Sequence, residues 1–375
     1  MLLTWQKTRQ RESGEQMPFA KQEKTLGIGI LGCGPISQFA HLESVQKGRN
    51  VVLNAVCDAD KELADRFGRF YDASKIYYDY DAMLADPDVK AVVIAVSDAF
   101  HVPCALKALA AGKHVFCEKP IATSVEEVED LQREVAKSAL VLRIGHMLRF
   151  DPGIQAAHDF VNGEMGEMLA LKAWYCDSTH RYTMTDAIQA MPRLGKAAVK
   201  PAGDPKANKQ RYYMLAHGSH LVDLARYLAG PIIAVNARLG EKFGAYCWFV
   251  DTEFANGTLG HLDLTVSVRM DWHEGFQIYG EKGSAAAKIF NPWYYKSSEV
   301  DIFRESTGAS SRVLGADGHF YRRQIEGFAD AVLSKVADGG ADIADGVASV
   351  RAMVAIAQSV ATKKSVTLAQ VSGPL

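Results

Sequence analysis

Between residues 25 and 145, short runs that are apolar throughout alternate with stretches of helical spacing. "LGIGILG", "VVLNAVCD", "AVVIAVSD", "HVFCEKP" and "LVLRIGH" read as strands, and "KIYYDYDAMLADPDV" holds a further short strand and a helix. "PISQFAHLESVQK", "ADKELADRFGRFY", "FHVPCALKALAAG" and "SVEEVEDLQREVAKS" read as intervening helices, the last with Val125, Val128, Leu131 and Val135 on one face. A strand with no polar side must be covered on both faces, and alternating helices supply that cover. The pattern predicts an α/β doubly wound parallel sheet whose ligand crevice lies beyond the carboxyl ends of its strands.

Where the first strand ends, "GILGCGPIS" (residues 29–37) puts Gly32, Gly34 and Ser37 at the three small positions of a G-x-G-x-x-G/A loop. Gly32 allows the tight turn and Gly34 a close approach of a pyrophosphate. Ser37 is small enough for the helix to pack near the strand, and Pro35 and Ile36 lie between. The free amides of the helix start then face the phosphates. Asp58 ends the second strand, at the distance expected for a carboxylate that bonds a ribose 2′-hydroxyl. A carboxylate there repels a 2′-phosphate, so NAD is favoured over NADP. Ser97 and His101 follow the fourth strand, at the same crevice.

The chain has 375 residues, enough for about two domains. A formal net charge of -2 offers nothing to a nucleic-acid partner. Six scattered cysteines without a CxxC pair read as reduced thiols of a cytoplasmic protein, and no metal site is expected. Residues 1–24 are polar and charged and read as a flexible extension, with Met17 as an alternative start. No apolar run approaches the roughly 18 residues of a membrane span, so no membrane partner is expected.

After residue 230 the pattern becomes strand-rich. "IIAVNARLG", "AYCWFVDTEFANGTLGHLDLTVSVRMDW" and "GFQIYGEKGSAAAKIF" alternate, with turns at "NG" and "EKG", as antiparallel hairpins do. "HFYRRQIEGFADAVLSKV" and "ADGVASVRAMVAIAQSVATKK" read as closing helices. An open apolar sheet face needs a cover, and a homo-oligomer supplies one. The stretch from 191 to 213 has the Pro, Gly, Ala and Lys content of a long loop, a candidate lid. "RMDWHEGF" (residues 269–276) is dense in polar and aromatic groups but reads equally as a sheet edge.

"CEKP" (residues 117–120) is more specific than the glycines, and there the chain resembles the Gfo/Idh/MocA family of oxidoreductases. "HGSHLVDLARYLAG", "IYGEKGS" and "MLRFDPGIQAAHDFVNGEMGEMLALKAWY" extend the likeness over almost everything from residue 25 onward. The resemblance implies a Rossmann domain over 25–148 and an α/β domain with a large, open, mostly antiparallel sheet over 149–375. The closing helices can pack back on the first domain. It also implies NAD(P)-dependent chemistry on sugars, cyclitols or related polyols, in dimers or tetramers joined through the open sheet.

By that resemblance Lys119 bonds the reacting hydroxyl, His220 is the catalytic histidine, and Glu118 and His101 lie at the coenzyme. An imidazole titrates near neutrality, which suits a general acid/base for an alcohol proton. Many relatives carry an aspartate four residues before the histidine; this chain has Ala216 there. His217, beside the gap, and Asp223, one turn beyond His220, are candidates to relay the proton or orient the imidazole. Arg149, Trp174, Tyr175, Asp177 and His180 are candidates to shape a sugar pocket. The leading expectation is an NAD-dependent dehydrogenase of a sugar, glycoside or cyclitol hydroxyl. The alternatives are an NAD-retaining glycosidase that oxidises its sugar transiently, and a non-catalytic regulatory member that binds NAD and sugar.

Overall fold

The computed structural model describes residues 24–178, 191–197, 201 and 206–375. Its first half is a six-stranded, wholly parallel sheet. The strands are β1 (Leu26–Leu31), β2 (Val51–Cys57), β3 (Lys75–Tyr77), β4 (Ala91–Ile94), β5 (His114–Cys117) and β6 (Leu142–Ile144). Their spatial order is β3-β2-β1-β4-β5-β6, so the winding reverses between β1 and β4 and opens a crevice at their carboxyl ends. Ile28, Ile30, Val92, Val93 and Ile94 are almost fully buried, which is why these strands carry no polar side.

Helices cover both faces. A π-helical turn, Ser37–His41, leads from the glycine loop into α1 (Leu42–Lys47). Then follow α2 (Lys61–Phe70), α3 (Tyr80–Leu84), α4 (His101–Ala110) and α5 (Val125–Ala136). Asp60 caps α2 by accepting from the amides of Glu62 and Leu63, satisfying donors that the helix itself leaves free. On α5 Val125, Val128 and Leu131 are buried, and Val135 packs against them at the rim.

Helix α6 (Pro152–Gly163) opens the second half, with Asp151 as its N-cap. Strand β7 (Met168–Asp177) then enters a nine-stranded sheet. Helix α7 (Lys209–Tyr213) continues through a π-helical turn, Met214–Gly218, into α8 (Ser219–Ala229). The sheet is completed by β8 (Ile232–Lys242), β9 (Ala245–Phe254), β10 (Leu259–Val266), β11 (His273–Gly280), β12 (Gly283–Ile289), β13 (Glu299–Arg304) and β14 (Ala309–Arg312), and by β15 (Val366–Thr367) near the end of the chain. Its order is β14-β13-β12-β11-β7-β10-β9-β8-β15, and only the β7–β10 pair is parallel. One face packs on helices. The other alternates polar side chains such as Lys172, Asp251 and Asp263 with exposed Phe249, Leu259 and Tyr279.

The last two long helices do different work. Helix α9 (Phe320–Ser334) returns to the first sheet, where Ile325 and Phe328 join the core formed by Ile28, Ile30 and Val45. Helix α10 (Ile343–Thr362) is, by length and composition, apolar enough to cross a membrane, against the expectation that no run reaches that length. It packs on β8 and α5 and buries Val350, Met353 and Val354, as a core helix does.

Candidate active site

The crevice begins at the glycine loop. Gly32 has φ +93°, and a Cβ there would sit 2.6 Å from the Ala95 carbonyl oxygen. Gly34 is the opposite case: among the described residues a Cβ there would meet nothing within 4 Å, so its backbone stands open to a ligand. The Ser37 hydroxyl donates to the Gly32 carbonyl at 2.5 Å and closes the turn. The Asp58 carboxylate accepts from the Cys33 amide at 2.7 Å and from the Asp60 amide at 2.8 Å. Gly32, Gly34, Pro35, Ile36, Asp58 and Ser97 line one cavity of about 490 Å³. An open glycine backbone at a helix start, with a carboxylate at the next strand's end, fits the pyrophosphate and ribose of a dinucleotide.

Ile36 also lines a narrower space of about 270 Å³, whose wall includes His101, Glu118, Lys119 and Ala216. The His101 ring is buried, with Nδ1 2.6 Å from the Pro120 carbonyl oxygen and Nε2 3.1 Å from that of Val96. It braces the backbone after β4 and β5, and burial lowers its pKa.

Beyond Lys119 lies a third cavity of about 400 Å³, where Lys119, Tyr175, Asp177, His217 and His220 meet. Lys119 is half-buried, and its Nζ donates to the Ala216 carbonyl at 2.9 Å. Burial lowers the ammonium's pKa against the raising influence of Glu118 and Asp98. Glu118 lies at 2.8 Å from His41 Nε2 and accepts from the Lys119 amide. Burial opposes its charge, yet His41 and Lys119 hold its carboxyl below the usual range. Gly145 makes room for it, because a Cβ there would lie 3.1 Å from that carboxyl.

His220 stands at the start of α8, its ring parallel to Tyr175 at 6.0 Å. Burial, then Lys119, His146 and His217, push its pKa well below 6.5, so the imidazole is neutral at pH 7. His217 Nδ1 lies 3.2 Å from the Tyr175 hydroxyl and 3.7 Å from Asp177 Oδ2. Strand β7 thus brings a carboxylate beside the histidine that adjoins the Ala216 gap.

Three expectations are corrected. Asp223 does not orient His220: it pairs bidentately with Arg149, at 2.7 and 3.0 Å, and both are buried. Arg149 also donates to Asp345 at 2.8 Å, so its guanidinium is consumed by two carboxylates and does not reach the cavity. Trp174 lies on the far face of the sheet, against His273 and Gly275, because successive residues of a strand point to opposite sides. His180 lies outside the described residues, as does part of the 191–213 stretch. Of that stretch, 191–197 contacts Gln38 and Asp60 on the first half of the chain, and Tyr212 lines the cavity.

Sequence reasoning missed Trp272, Asn291, Trp293 and Tyr321, which also line this cavity. Trp272 meets Tyr175 edge-on at 5.1 Å, and Trp293 stacks on Tyr321 at 5.3 Å. Trp272 precedes β11, an interior strand rather than a sheet edge; the density of "RMDWHEGF" was the available signal. Glu274, in the same stretch, is buried beside Trp272. Burial pushes its pKa up to about 8.

A family model described as "Oxidoreductase family, NAD-binding Rossmann fold" matches residues 26–146, and its "C-terminal alpha/beta domain" companion matches 208–368. The chain is a Gfo/Idh/MocA oxidoreductase. This Gfo/Idh/MocA chain is 28% identical over 349 residues to inositol 2-dehydrogenase 2 of Saccharopolyspora erythraea, covering 84% of this chain and 94% of that protein. It is 26% identical over 297 residues to levoglucosan dehydrogenase of Pseudarthrobacter phenanthrenivorans, covering 70% of each. A solved levoglucosan dehydrogenase, in complex with NADH and L-sorbose, shares its fold with a TM-score of 0.75 at 22% identity, over 93% of this chain and 100% of that one.

Proposed function

We propose that this oxidoreductase transfers hydride between NAD and a secondary hydroxyl of an uncharged sugar, glycoside or cyclitol, or the corresponding ketone. The observation that carries the reading is the convergence of Lys119, His217 and His220 on one cavity that adjoins the dinucleotide crevice, with Ile36 in the walls of both. The names of the inositol and levoglucosan dehydrogenases support the substrate class. So do the aromatic walls at Tyr175, Trp272 and Trp293, which suit the apolar faces of a ring; among the described lining residues Lys119 is the one lysine or arginine. A bound nicotinamide supplies the hydride acceptor.

In the oxidation direction the Lys119 ammonium donates to the reacting oxygen and stabilises the negative charge that grows there. Neutral His220 accepts the hydroxyl proton as the carbon loses hydride, and returns it in the reverse reaction. His217, with Asp177 beside it, takes the relay or orienting role left vacant at Ala216. Glu118 helps fix Lys119 at the strand end. Asp58 directs the choice of NAD over NADP. The six free thiols support a cytoplasmic location. A homo-oligomer, dimer or tetramer, joins through the outward sheet face, where Phe249, Leu259 and Tyr279 are exposed.

The test is a panel of polyols, aldoses and glycosides incubated with NAD and with NADP, followed by absorbance of the reduced coenzyme. Net NADH with at least one polyol, and much less NADPH, is expected. Release of an aglycone without net NADH would establish the glycosidase instead, and binding without turnover the regulatory member.

The pH profile has a stated sign. Because burial lowers the His220 pKa, kcat/KM for oxidation should hold level as pH falls from neutral through 6.5 and decline only below that. Protonation there removes the base. The decline should vanish in His220→Ala. An acid limb centred at or above 6.5 would place the essential base elsewhere.

A further inference from the structure

The segment 191–197 lies between β7, which ends at Asp177 in the cavity, and α7, which carries Tyr212 in the cavity. It nevertheless docks on the other half of the chain, at the two loops that flank the dinucleotide crevice. The Gln38 side chain and the Arg193 backbone bond reciprocally: Nε2 donates to the Arg193 carbonyl at 2.9 Å, and the Arg193 amide donates to Oε1 at 2.9 Å. The same Nε2 donates to the Cys33 carbonyl at 2.7 Å, inside the glycine loop. At the second loop the Ala197 amide donates to Asp60 Oδ2 at 2.9 Å, and Gly195 lies so close that a Cβ would sit 2.8 Å from that oxygen.

We propose that residues 191–197 are a coenzyme brace, with Gln38 and Asp60 as its positioning residues. By tying the glycine loop to the turn after β2, the brace holds Gly34 and Asp58 in the geometry that receives the dinucleotide and slows its release. The argument is one of preorganisation. The Gly34 amide and the Asp58 carboxylate sit on separate loops, joined directly by the Cys33 amide and the Asp58 carboxylate. A second link across the same gap leaves less loop motion to arrest on binding, and that saving appears as affinity. Gln38 serves this role through its side chain alone, since its own amide is already used on the Gly34 carbonyl.

The experiment measures NADH release from the full-length protein by stopped-flow fluorescence, with equilibrium Kd alongside. Asp60→Asn keeps Oδ1 to cap Glu62 and Leu63 but sets an amide donor against the Ala197 donor. Arg193→Pro deletes the donor to Gln38 without touching either crevice loop. Each is expected to speed release and weaken NADH binding by about fivefold, the worth of one modest hydrogen bond. The melting temperature, which reports a merely structural loss, should move little with Arg193→Pro. Arg193→Pro keeps the test open if Asp60→Asn fails to fold. Release rates and Kd indistinguishable from the parent protein would overturn the brace.

Discussion

Replacing Lys119 with alanine is expected to lower kcat for polyol oxidation by roughly a hundredfold to ten-thousandfold. The size follows from where the ammonium stands. It is half-buried between Glu118 and the Ala216 carbonyl, in a space where water cannot screen it well. A charge so placed interacts most strongly with an oxygen that is becoming an alkoxide, so its loss falls on the transition state more than on the bound substrate. The loss should therefore appear in kcat rather than only in the KM for polyol. Lys119→Arg should recover little, because a planar guanidinium cannot take the place of a compact ammonium. Steady-state rates at saturating NAD and polyol decide the matter. Turnover equal to that of the parent protein would remove Lys119 from the reaction.

Asp223→Asn is expected to lower the unfolding free energy by about 3 kcal/mol, the cost of leaving a buried guanidinium short of its partner. Asp223 and Arg149 are both buried, and Asp345 still pairs with Arg149 in the variant, which sets the estimate at the low end of the usual range. A double replacement, Arg149→Met with Asp223→Leu, should restore much of the loss, since it strands no guanidinium and leaves Asp345 its pair with Arg226 at 3.2 Å. Denaturant unfolding of the parent protein and the two variants gives the comparison. If Asp223→Asn instead kept full stability and lost the low-pH limb of the rate profile, Asp223 would be orienting His220 after all.

The parallel sheet was legible because Ile28, Ile30 and Val92 leave their strands no polar side, a pattern that only a two-sided cover tolerates. Gly32 was legible for a similar reason: its φ of +93° is open to few other residues. The cavity was less so. Alternation along β7 already puts Trp174 and Tyr175 on opposite faces, and that rule was available from the sequence. Asp223 follows His220 at helical spacing, but the spacing says nothing of Arg149, which reaches it from 74 positions away. Trp293 and Tyr321 come from separate segments that only the folded chain brings together. Long-range partners of this kind leave no periodic trace.

Helix α9 has a consequence for anyone dividing the chain. Ile325 and Phe328 lie against Phe116 and the strands of the first sheet, though they come almost two hundred residues after that sheet ends. Each contributes about 1.5–3 kcal/mol of burial. A fragment cut after the sixth strand would lack its own lid of hydrocarbon, and the bared flank would seek another molecule. Sequence order and physical wholeness part company here: the nucleotide half is finished only once the ribosome has made residues 320–334.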